Sequence, residues 1–213
     1  KKKKRENKME LKVKKINFLG DSITEGVGAT DPEAMYVNIV KHDAELAEAR
    51  NYGISGTRIA RQSNDEGSAY CDRYKKMDDD ADVVVVFGGT NDYGHGEAPI
   101  GLSTDRTGDT YYGACHELIR GLIEKYPSAT IVVMTPIHRE NEDAPSMGNG
   151  KPMQLYVDIL REVCEKYSVP VLDLWASSGI VPDVPSNKEK LCPDGLHPCN
   201  EGNRIIASRL IGF

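Results

Sequence analysis

The chain has 213 residues, of which 39% are hydrophobic and 28% charged, a composition typical of one globular domain with a sizeable core. Its net charge is −6, and its one marked basic run is Lys1–Arg5, so we expect no nucleic-acid partner. No segment approaches the roughly 20 apolar residues of a membrane helix, and no apolar segment follows the basic run as it would in a signal peptide. We therefore expect no membrane partner and a cytoplasmic location.

Cysteine use indicates a reducing compartment. The chain has five cysteines, an odd number. Three of them fall in predicted helices, where they would pack as small core residues: Cys71, Cys115 and Cys164. Cys192 and Cys199 flank the last predicted turn; a disulfide between them is the alternative, which a cytosolic setting disfavours.

The first predicted strand delivers a serine to a tight turn. The apolar run Ile16–Leu19 stops at a glycine and is followed at once by Asp21 and Ser22. A strand that ends in this way places the serine hydroxyl at the carboxyl edge of a sheet, where open α/β folds bind ligands. Next, Asp31 followed by proline is a helix start signal, and helical spacing of apolar residues continues to about residue 49.

Two more predicted strands end in polar turns that contain glycine. A brief strand leads into Asn51–Gly56, and a weaker polar helix is predicted between residues 67 and 77. Val83–Phe87 is a run of five apolar residues, mostly β-branched, and predicts a central strand buried on both faces. It is followed by the turn Gly89–Asp92 and by a polar loop over 93–109.

The second half of the chain alternates helices and strands. In order, the pattern predicts a helix over 110–126, a strand over 130–134, a loop over 137–151, a helix around 156–167, a strand over 169–174, a turn over 194–198 and a helix over 201–210. Such alternation implies a parallel sheet with right-handed crossovers, and hence a doubly wound α/β structure. Because the ends of parallel strands lie at one edge, the three polar turns should converge there.

The residues expected to meet at this edge fit an acyl-transfer site. Ser22 offers a hydroxyl nucleophile, and His197 can remove its proton because imidazole exchanges protons near neutral pH. Asp194 precedes His197 by three residues in a turn, a spacing that lets the carboxylate fix the imidazole tautomer and stabilise the imidazolium. The oxyanion of the tetrahedral intermediate needs preset donors, and the candidates are the backbone N–H groups of Ser22 and Gly56 and the side-chain amide of Asn91.

Four short blocks resemble the SGNH (GDSL-type) esterase and lipase family, which is named for a Ser, a Gly, an Asn and a His. Gly20-Asp21-Ser22 is similar to the first block, and Asn51–Gly56 is similar to the second. Gly89-Thr90-Asn91-Asp92 fits the Gly-x-Asn-Asp block, and Asp194–His197 fits the Asp-x-x-His block. The blocks appear in the order of the family and together span residues 20–197.

The resemblance implies a flavodoxin-like three-layer α/β/α sandwich with a central parallel sheet of about five strands. It also implies hydrolysis of a small-molecule ester or thioester, with no metal or organic cofactor. The single catalytic domain expected on this basis covers residues 10–213, and residues 1–9 are expected to form a disordered basic tail.

The same resemblance assigns the site residue by residue. The positions carried over are the nucleophile, acid and base, Ser22, Asp194 and His197, and the oxyanion donors, Ser22, Gly56 and Asn91. The chain departs from the family pattern at Thr57, where members often carry an acidic residue.

Several functions are compatible with these features. A short-chain acyl esterase, most simply a deacetylase of acetylated carbohydrate, is favoured because the loops over 93–109 and 137–151 are polar and no long apolar lid is visible. A lysophospholipase or acyl-thioesterase is the alternative within the family. A non-catalytic flavodoxin-like binding module is the alternative of another class. Gly26 and Gly28 would then cradle a phosphate, although no phosphate-loop or dinucleotide fingerprint occurs.

A zinc site is a further alternative reading of the last turn. Its ligands would be Cys192, Asp194, His197 and Cys199, but their spacing matches no zinc pattern. Such a site would also remove the histidine from the role of base.

Overall fold

A five-stranded parallel sheet forms the centre of the computed structural model, which describes residues 12, 14–63 and 67–213. Its strands are β1 Lys15–Gly20, β2 Glu48–Gly53, β3 Val83–Phe87, β4 Thr130–Met134 and β5 Val171–Leu172. Their spatial order is β2-β1-β3-β4-β5, which is the flavodoxin-like order, and all neighbours pair in parallel. The tail predicted over 1–9 lies outside the described residues.

Helices cover both faces of this sheet. In chain order they are α1 Ser22–Glu25, α2 Tyr36–Asp43, α3 Tyr70–Arg73, α4 Thr90–His95, α5 Tyr111–Lys125, α6 Met153–Lys166, α7 Leu174–Ser177, α8 Pro185–Leu191 and α9 Asn200–Gly212, with 3-10 turns at Pro32–Ala34 and Tyr74–Lys76. None of the helices in the described ranges combines the length and the apolar character that a bilayer span requires.

Side chains alternate along the strands between two apolar clusters. In β3, Val84 and Val86 belong to the cluster that includes α3, α5 and α6. Val85 and Phe87 belong to the cluster on the other face, which includes α2 and α9. Burial of each such side chain contributes roughly 1.5–3 kcal/mol. The predicted three-layer α/β/α sandwich is thereby confirmed, with β3 buried on both faces as its apolar run indicated.

α5 shows how local signals produce the helices. The Thr110 side chain caps the helix by accepting a hydrogen bond from the Gly113 backbone N–H at 3.1 Å. Leu118 and Leu122, four residues apart, are both fully buried on its inner stripe. The helix ends at Lys125, shortly before Pro127, which cannot continue it.

The prediction was wrong at the edge formed by β2. The helix predicted to reach residue 49 ends at Asp43, because Glu45 adopts the left-handed conformation at φ 53° and turns the chain towards the sheet. β2 pairs with β1 alone, so its residues are half-buried or exposed along their whole length. An edge strand of this kind has no apolar run by which it could be distinguished from the end of a helix.

At the opposite edge, the strand predicted over 169–174 is reduced to the two residues of β5. The cause is Asp173, whose side chain accepts a hydrogen bond from the Ala176 backbone N–H at 3.1 Å and so begins α7. The apolar residue Leu174 is fully buried, but it lies in a helix.

Two further elements differ from the sequence-based prediction. The polar helix predicted between residues 67 and 77 is the short helix α3 followed by a 3-10 turn. The loop predicted over 93–109 begins later, because α4 continues from Thr90 to His95. Gly89 precedes α4 at φ 112°, a left-handed conformation that favours glycine and lets the chain turn directly from β3 into the helix.

Candidate active site

The predicted site residues lie at the carboxyl edge of the sheet, beside the point where the strand order reverses between β1 and β3. β1 leads into Ser22 at the start of α1, β3 leads into Asn91 in α4, and β2 leads into the loop that carries Gly56. In doubly wound sheets this crevice is where ligands bind. A cleft of about 380 Å³ opens here, and its lining includes Ser22, Gly56, Asn91, His95, Arg139 and His197.

The structure brings Ser22, His197 and Asp194 into one chain of hydrogen bonds, although 175 positions separate the serine from the histidine. Ser22 Oγ lies 3.0 Å from Nε2 of His197. On the other side of the ring, Nδ1 of His197 lies 2.6 Å from Oδ2 of Asp194. Because a carboxylate only accepts, Nδ1 carries the ring proton and Nε2 is left as the acceptor for the serine hydroxyl.

The second oxygen of Asp194 shapes the turn that presents the imidazole. Oδ1 accepts hydrogen bonds from the backbone N–H groups of Leu196 at 2.9 Å and His197 at 2.7 Å. Partial burial alone would raise the pKa of Asp194, but the backbone and imidazole hydrogen bonds outweigh it and lower the pKa below its ordinary value. The carboxylate therefore stays ionised while it holds both the turn and the ring.

The start of α1 fixes the position of Ser22. The buried Asp21 side chain caps this helix by accepting a hydrogen bond from the Ile23 N–H at 3.0 Å. Burial raises the pKa of Asp21 to about 6, against the opposing effects of that hydrogen bond and of the charges on His197 and Arg73. As the first residue of a helix, Ser22 has a backbone N–H with no acceptor inside the helix, so it can serve a ligand in the cleft.

Gly56 lies in a loop that is tied to α1. Its φ of 74° is left-handed, a conformation that L side chains rarely adopt. The neighbouring Ser55 donates its backbone N–H to Oε2 of Glu25 at 2.6 Å and donates its hydroxyl to the same oxygen. No motif in the sequence indicates this role of Glu25, which follows the nucleophile block by three residues.

A buried carboxylate holds the next part of this loop. Asp92 accepts hydrogen bonds from the backbone N–H groups of Ile59 at 2.9 Å and Ala60 at 3.0 Å. Burial raises the pKa of Asp92 to about 7, although these two hydrogen bonds oppose the shift. Asp92 therefore braces the loop after Gly56.

Thr57 contacts a buried arginine at the position where the chain departs from the family pattern. Its hydroxyl donates to the Ile54 carbonyl at 2.7 Å and accepts from Arg73 at 3.0 Å. Arg73 also donates to the carbonyls of Gly20 and Tyr52, the last residue of β1 and the penultimate residue of β2. The guanidinium thus joins the ends of two strands to the loop.

Asn91, near the start of α4, contacts the same loop. The buried side chain donates one amide N–H to the Thr57 carbonyl at 3.1 Å. The amide carries a second N–H, which makes no hydrogen bond to any described residue. Because Asn91 lines the cleft together with Ser22 and Gly56, the three candidate oxyanion donors face one space.

Arg139 is a cleft residue that sequence analysis did not identify. It lies in the segment after β4, so the one available signal was its position beyond the carboxyl end of a central strand. His95 and His138 differ in placement. His95 lines the cleft, whereas the ring of His138 stacks on Trp175 at 4.0 Å and bonds to Glu142.

The last turn contains no disulfide, because Cys192 and Cys199 are both free thiols. Within the described ranges, no group of three or more His, Cys, Asp or Glu side chains is arranged to hold a metal ion. His197 instead bonds to Ser22 and Asp194, so the ligand set considered for zinc is not formed.

Comparison with known proteins identifies the class. The chain belongs to the GDSL-like Lipase/Acylhydrolase family, whose model matches residues 18–205, and it is an ester hydrolase, as the four blocks indicated. Two crystal structures are 35% and 32% identical to it, with TM-scores of 0.85 and 0.83. The first match covers 95% of this chain and 96% of the other, and the second, to a protein from Lactobacillus plantarum, covers 94% and 96%.

A more distant structure is that of an acetyl xylan esterase, at 24% identity and a TM-score of 0.63. The match covers 93% of this chain and 98% of that one, and it shows a shared fold. A comparison with curated protein sequences gave no match.

Proposed function

We propose that this chain is a serine esterase in which Ser22 is the nucleophile, His197 the general base and Asp194 the group that orients the imidazole. The observation that carries the proposal is the continuous path from Ser22 Oγ to His197 Nε2 at 3.0 Å and from His197 Nδ1 to Asp194 Oδ2 at 2.6 Å. A hydroxyl is a weak nucleophile at neutral pH, and a neighbouring base in this geometry is what activates it.

The reaction then proceeds in two halves. Ser22 Oγ attacks the ester carbonyl carbon while its proton moves to Nε2 of His197, and the carbonyl oxygen becomes an oxyanion. The oxyanion accepts hydrogen bonds from the N–H groups of Ser22 and Gly56 and from the Asn91 amide. When the intermediate collapses, the alkoxide leaves with the proton from His197, and an acyl-serine remains. Water, deprotonated by His197, hydrolyses the acyl-serine and releases the acid and the free hydroxyl.

The favoured substrate is a short-chain acyl ester, in the first place an acetyl ester of a carbohydrate. The cleft is small and open, and among its described lining residues only Val27 and Leu196 have apolar side chains, which is little surface for a long acyl chain. The fold likeness to an acetyl xylan esterase is consistent with this choice.

A matched pair of serine variants tests the mechanism. Ser22→Ala should lower kcat/KM for 4-nitrophenyl acetate by about 10⁴-fold or more. The residues of such a triad act as a unit, so without the nucleophile the base and the orienting carboxylate no longer contribute to catalysis. Ser208→Ala, an exposed serine of α9, is the control and should keep the parent rate. A Ser22→Ala protein with unchanged activity would refute the proposal.

Two further measurements separate the alternatives. A fluorophosphonate should label Ser22 in the parent and not in Ser22→Ala, whereas a binding module would resist labelling. A series of 4-nitrophenyl esters should show kcat/KM highest for acetyl and falling towards octanoyl. A maximum at octanoyl would favour the lysophospholipase or thioesterase alternative.

A further inference from the structure

Arg139 presents unused hydrogen-bond donors to the cleft. Its Nη1 donates to the Thr90 carbonyl at 3.1 Å and to the Thr90 hydroxyl at 3.2 Å, and its guanidinium lies 5.3 Å from the centre of the Tyr93 ring. These contacts hold the guanidinium in place, but they provide hydrogen-bond acceptors for only one of its nitrogens, Nη1. Nε is buried and makes no hydrogen bond, and no carboxylate of the described residues lies within ion-pair distance of the guanidinium.

Arg58 and His95 extend this set of donors. Nη1 of Arg58 lies 2.7 Å from Nδ1 of His95. A guanidinium can only donate, so Nδ1 must accept, and the ring proton is therefore on Nε2. Burial, together with the charges of Arg58 and Arg139, lowers the pKa of His95, which keeps the ring neutral in this tautomer. His95 lines the cleft, so its Nε2–H adds to the guanidinium donors.

This group, Arg58, His95 and Arg139, is called the donor cluster below. Arg50, Arg61 and Arg161, by contrast, each form an ion pair with a carboxylate. Arg58, like Arg139, forms none with the described residues, whereas a buried Nε without a hydrogen bond is common to both of them and to Arg50 and Arg161. Arg139 lines the cleft and Arg58 reaches it through His95, so this part of the cleft carries positive charge in a chain whose net charge is −6.

We propose that the donor cluster binds an acidic group of the substrate, so that the ester this protein hydrolyses belongs to an anionic molecule. Guanidinium groups match carboxylates and other oxyanions with paired, charge-assisted hydrogen bonds. Arg139 is already held in place, so little conformational entropy is lost on binding. The inference rests on the proposed role of Ser22. The acidic group sits on the alcohol part or on the acyl part of the ester.

Two pairs of aryl esters distinguish these two positions in the parent protein. On the alcohol side, 3-carboxyphenyl acetate is compared with its neutral methyl ester. On the acyl side, 4-nitrophenyl hydrogen glutarate is compared with 4-nitrophenyl methyl glutarate. Release of the phenol is followed in each case. In one pair, kcat/KM for the anionic member should exceed that of the neutral member by about tenfold or more at low ionic strength. The ratio should fall as salt is raised, because salt screens the attraction.

Variants then assign the ratio to the donor cluster. Arg139→Met should lower the ratio of anionic to neutral kcat/KM by about tenfold, and Arg139→Lys, which keeps the charge but not the paired geometry, should lower it less. Arg106→Met is the control, because Arg106 is exposed, does not line this cleft and involves the same change of charge. It should leave the ratio as in the parent. The ratio compares two substrates of one protein, so a general loss of activity does not affect it.

The outcomes separate this inference from the proposed function. Equal kcat/KM for both members of both pairs in the parent would overturn the donor-cluster inference while leaving the esterase intact. An Arg139→Met ratio equal to that of the parent would overturn it as well. Hydrolysis of the esters by Ser22→Ala at the parent rate would instead refute the esterase mechanism on which the inference rests.

Discussion

Asp194 performs two tasks with two different oxygens, and a pair of substitutions should separate them. Oδ2 holds the imidazole at 2.6 Å, and Oδ1 accepts the two backbone hydrogen bonds of the turn. Asp194→Asn can keep the carbonyl oxygen at the Oδ1 position, because an NH₂ there would face two N–H donors. The NH₂ must then face His197, so Nδ1 has to accept and the proton moves to Nε2. Asp194→Ala removes both tasks.

The expected magnitudes follow from these contacts. With the proton on Nε2, His197 cannot accept the proton of Ser22, and kcat should fall by about 10⁴-fold, or roughly 5.4 kcal/mol of barrier. Asp194→Ala should lose activity to a similar extent. Its stability should fall as well, because two hydrogen bonds to an ionised but partly exposed acceptor contribute about 1–2 kcal/mol together. For a chain of this size that is a fall in Tm of about 2–8 °C.

The assay combines hydrolysis of 4-nitrophenyl acetate with thermal unfolding. Asp183→Asn and Asp183→Ala, at an exposed aspartate, serve as charge-matched controls and should leave rate and Tm near those of the parent. An Asp194→Asn protein that keeps activity within tenfold of the parent would refute the tautomer argument. An Asp194→Asn protein as unstable as Asp194→Ala would refute the role of Oδ1 in the turn.

Three further predictions concern the surroundings of the nucleophile. Asn91→Ala should lower kcat by about 10²–10³-fold with a smaller change in KM, and a loss under threefold would exclude the amide as an oxyanion donor. Glu25→Ala should lower kcat several-fold, because it releases Ser55 and the loop of Gly56. Glu25→Gln keeps an acceptor oxygen and should lower kcat less. Equal kcat for both variants and the parent would contradict this role of Glu25. The unfolded chain releases the proton of Asp21 near pH 3.8 but the folded chain keeps it to about pH 6, so raising the pH across that window disfavours folding. Asp21→Asn keeps the cap. The free energy of unfolding of this variant minus that of the parent, measured in urea at each pH, should increase by about 2 kcal/mol between pH 4 and 7. A difference that does not change with pH would refute the burial argument.

The fold was predictable where burial of a strand requires a run of apolar residues in the sequence. β3 and β4 lie inside the sheet and are covered on both faces, so apart from the exposed Thr130 each is an apolar run, and the bounds of both were predicted correctly. β2 and β5 are at the edges, where pairing on one side relaxes the demand for apolar residues. One boundary was set by a backbone turn at Glu45, and another by the capping side chain of Asp173. These are local events that a hydrophobic pattern does not record.

The site likewise contains residues that the sequence predicts and residues that it does not. Ser22, Asn91 and the last turn follow directly from strand ends and from short blocks, and the structure brings them to one cleft. Arg139 reaches that cleft through contacts with Thr90, 49 positions earlier in the chain. Glu25 likewise meets Ser55 across 30 positions. Contacts of this kind depend on how the loops pack, and no residue spacing in the sequence predicts them.

The distance of 175 positions between Ser22 and His197 has a consequence for biosynthesis. On the proposed mechanism, the serine leaves the ribosome well before its base, which is made 175 positions later. A nascent chain therefore cannot hydrolyse an ester until the turn that carries His197 has docked onto the sheet. Enzymatic activity accordingly reports that synthesis and folding have passed this turn, and a product truncated before it should not hydrolyse esters.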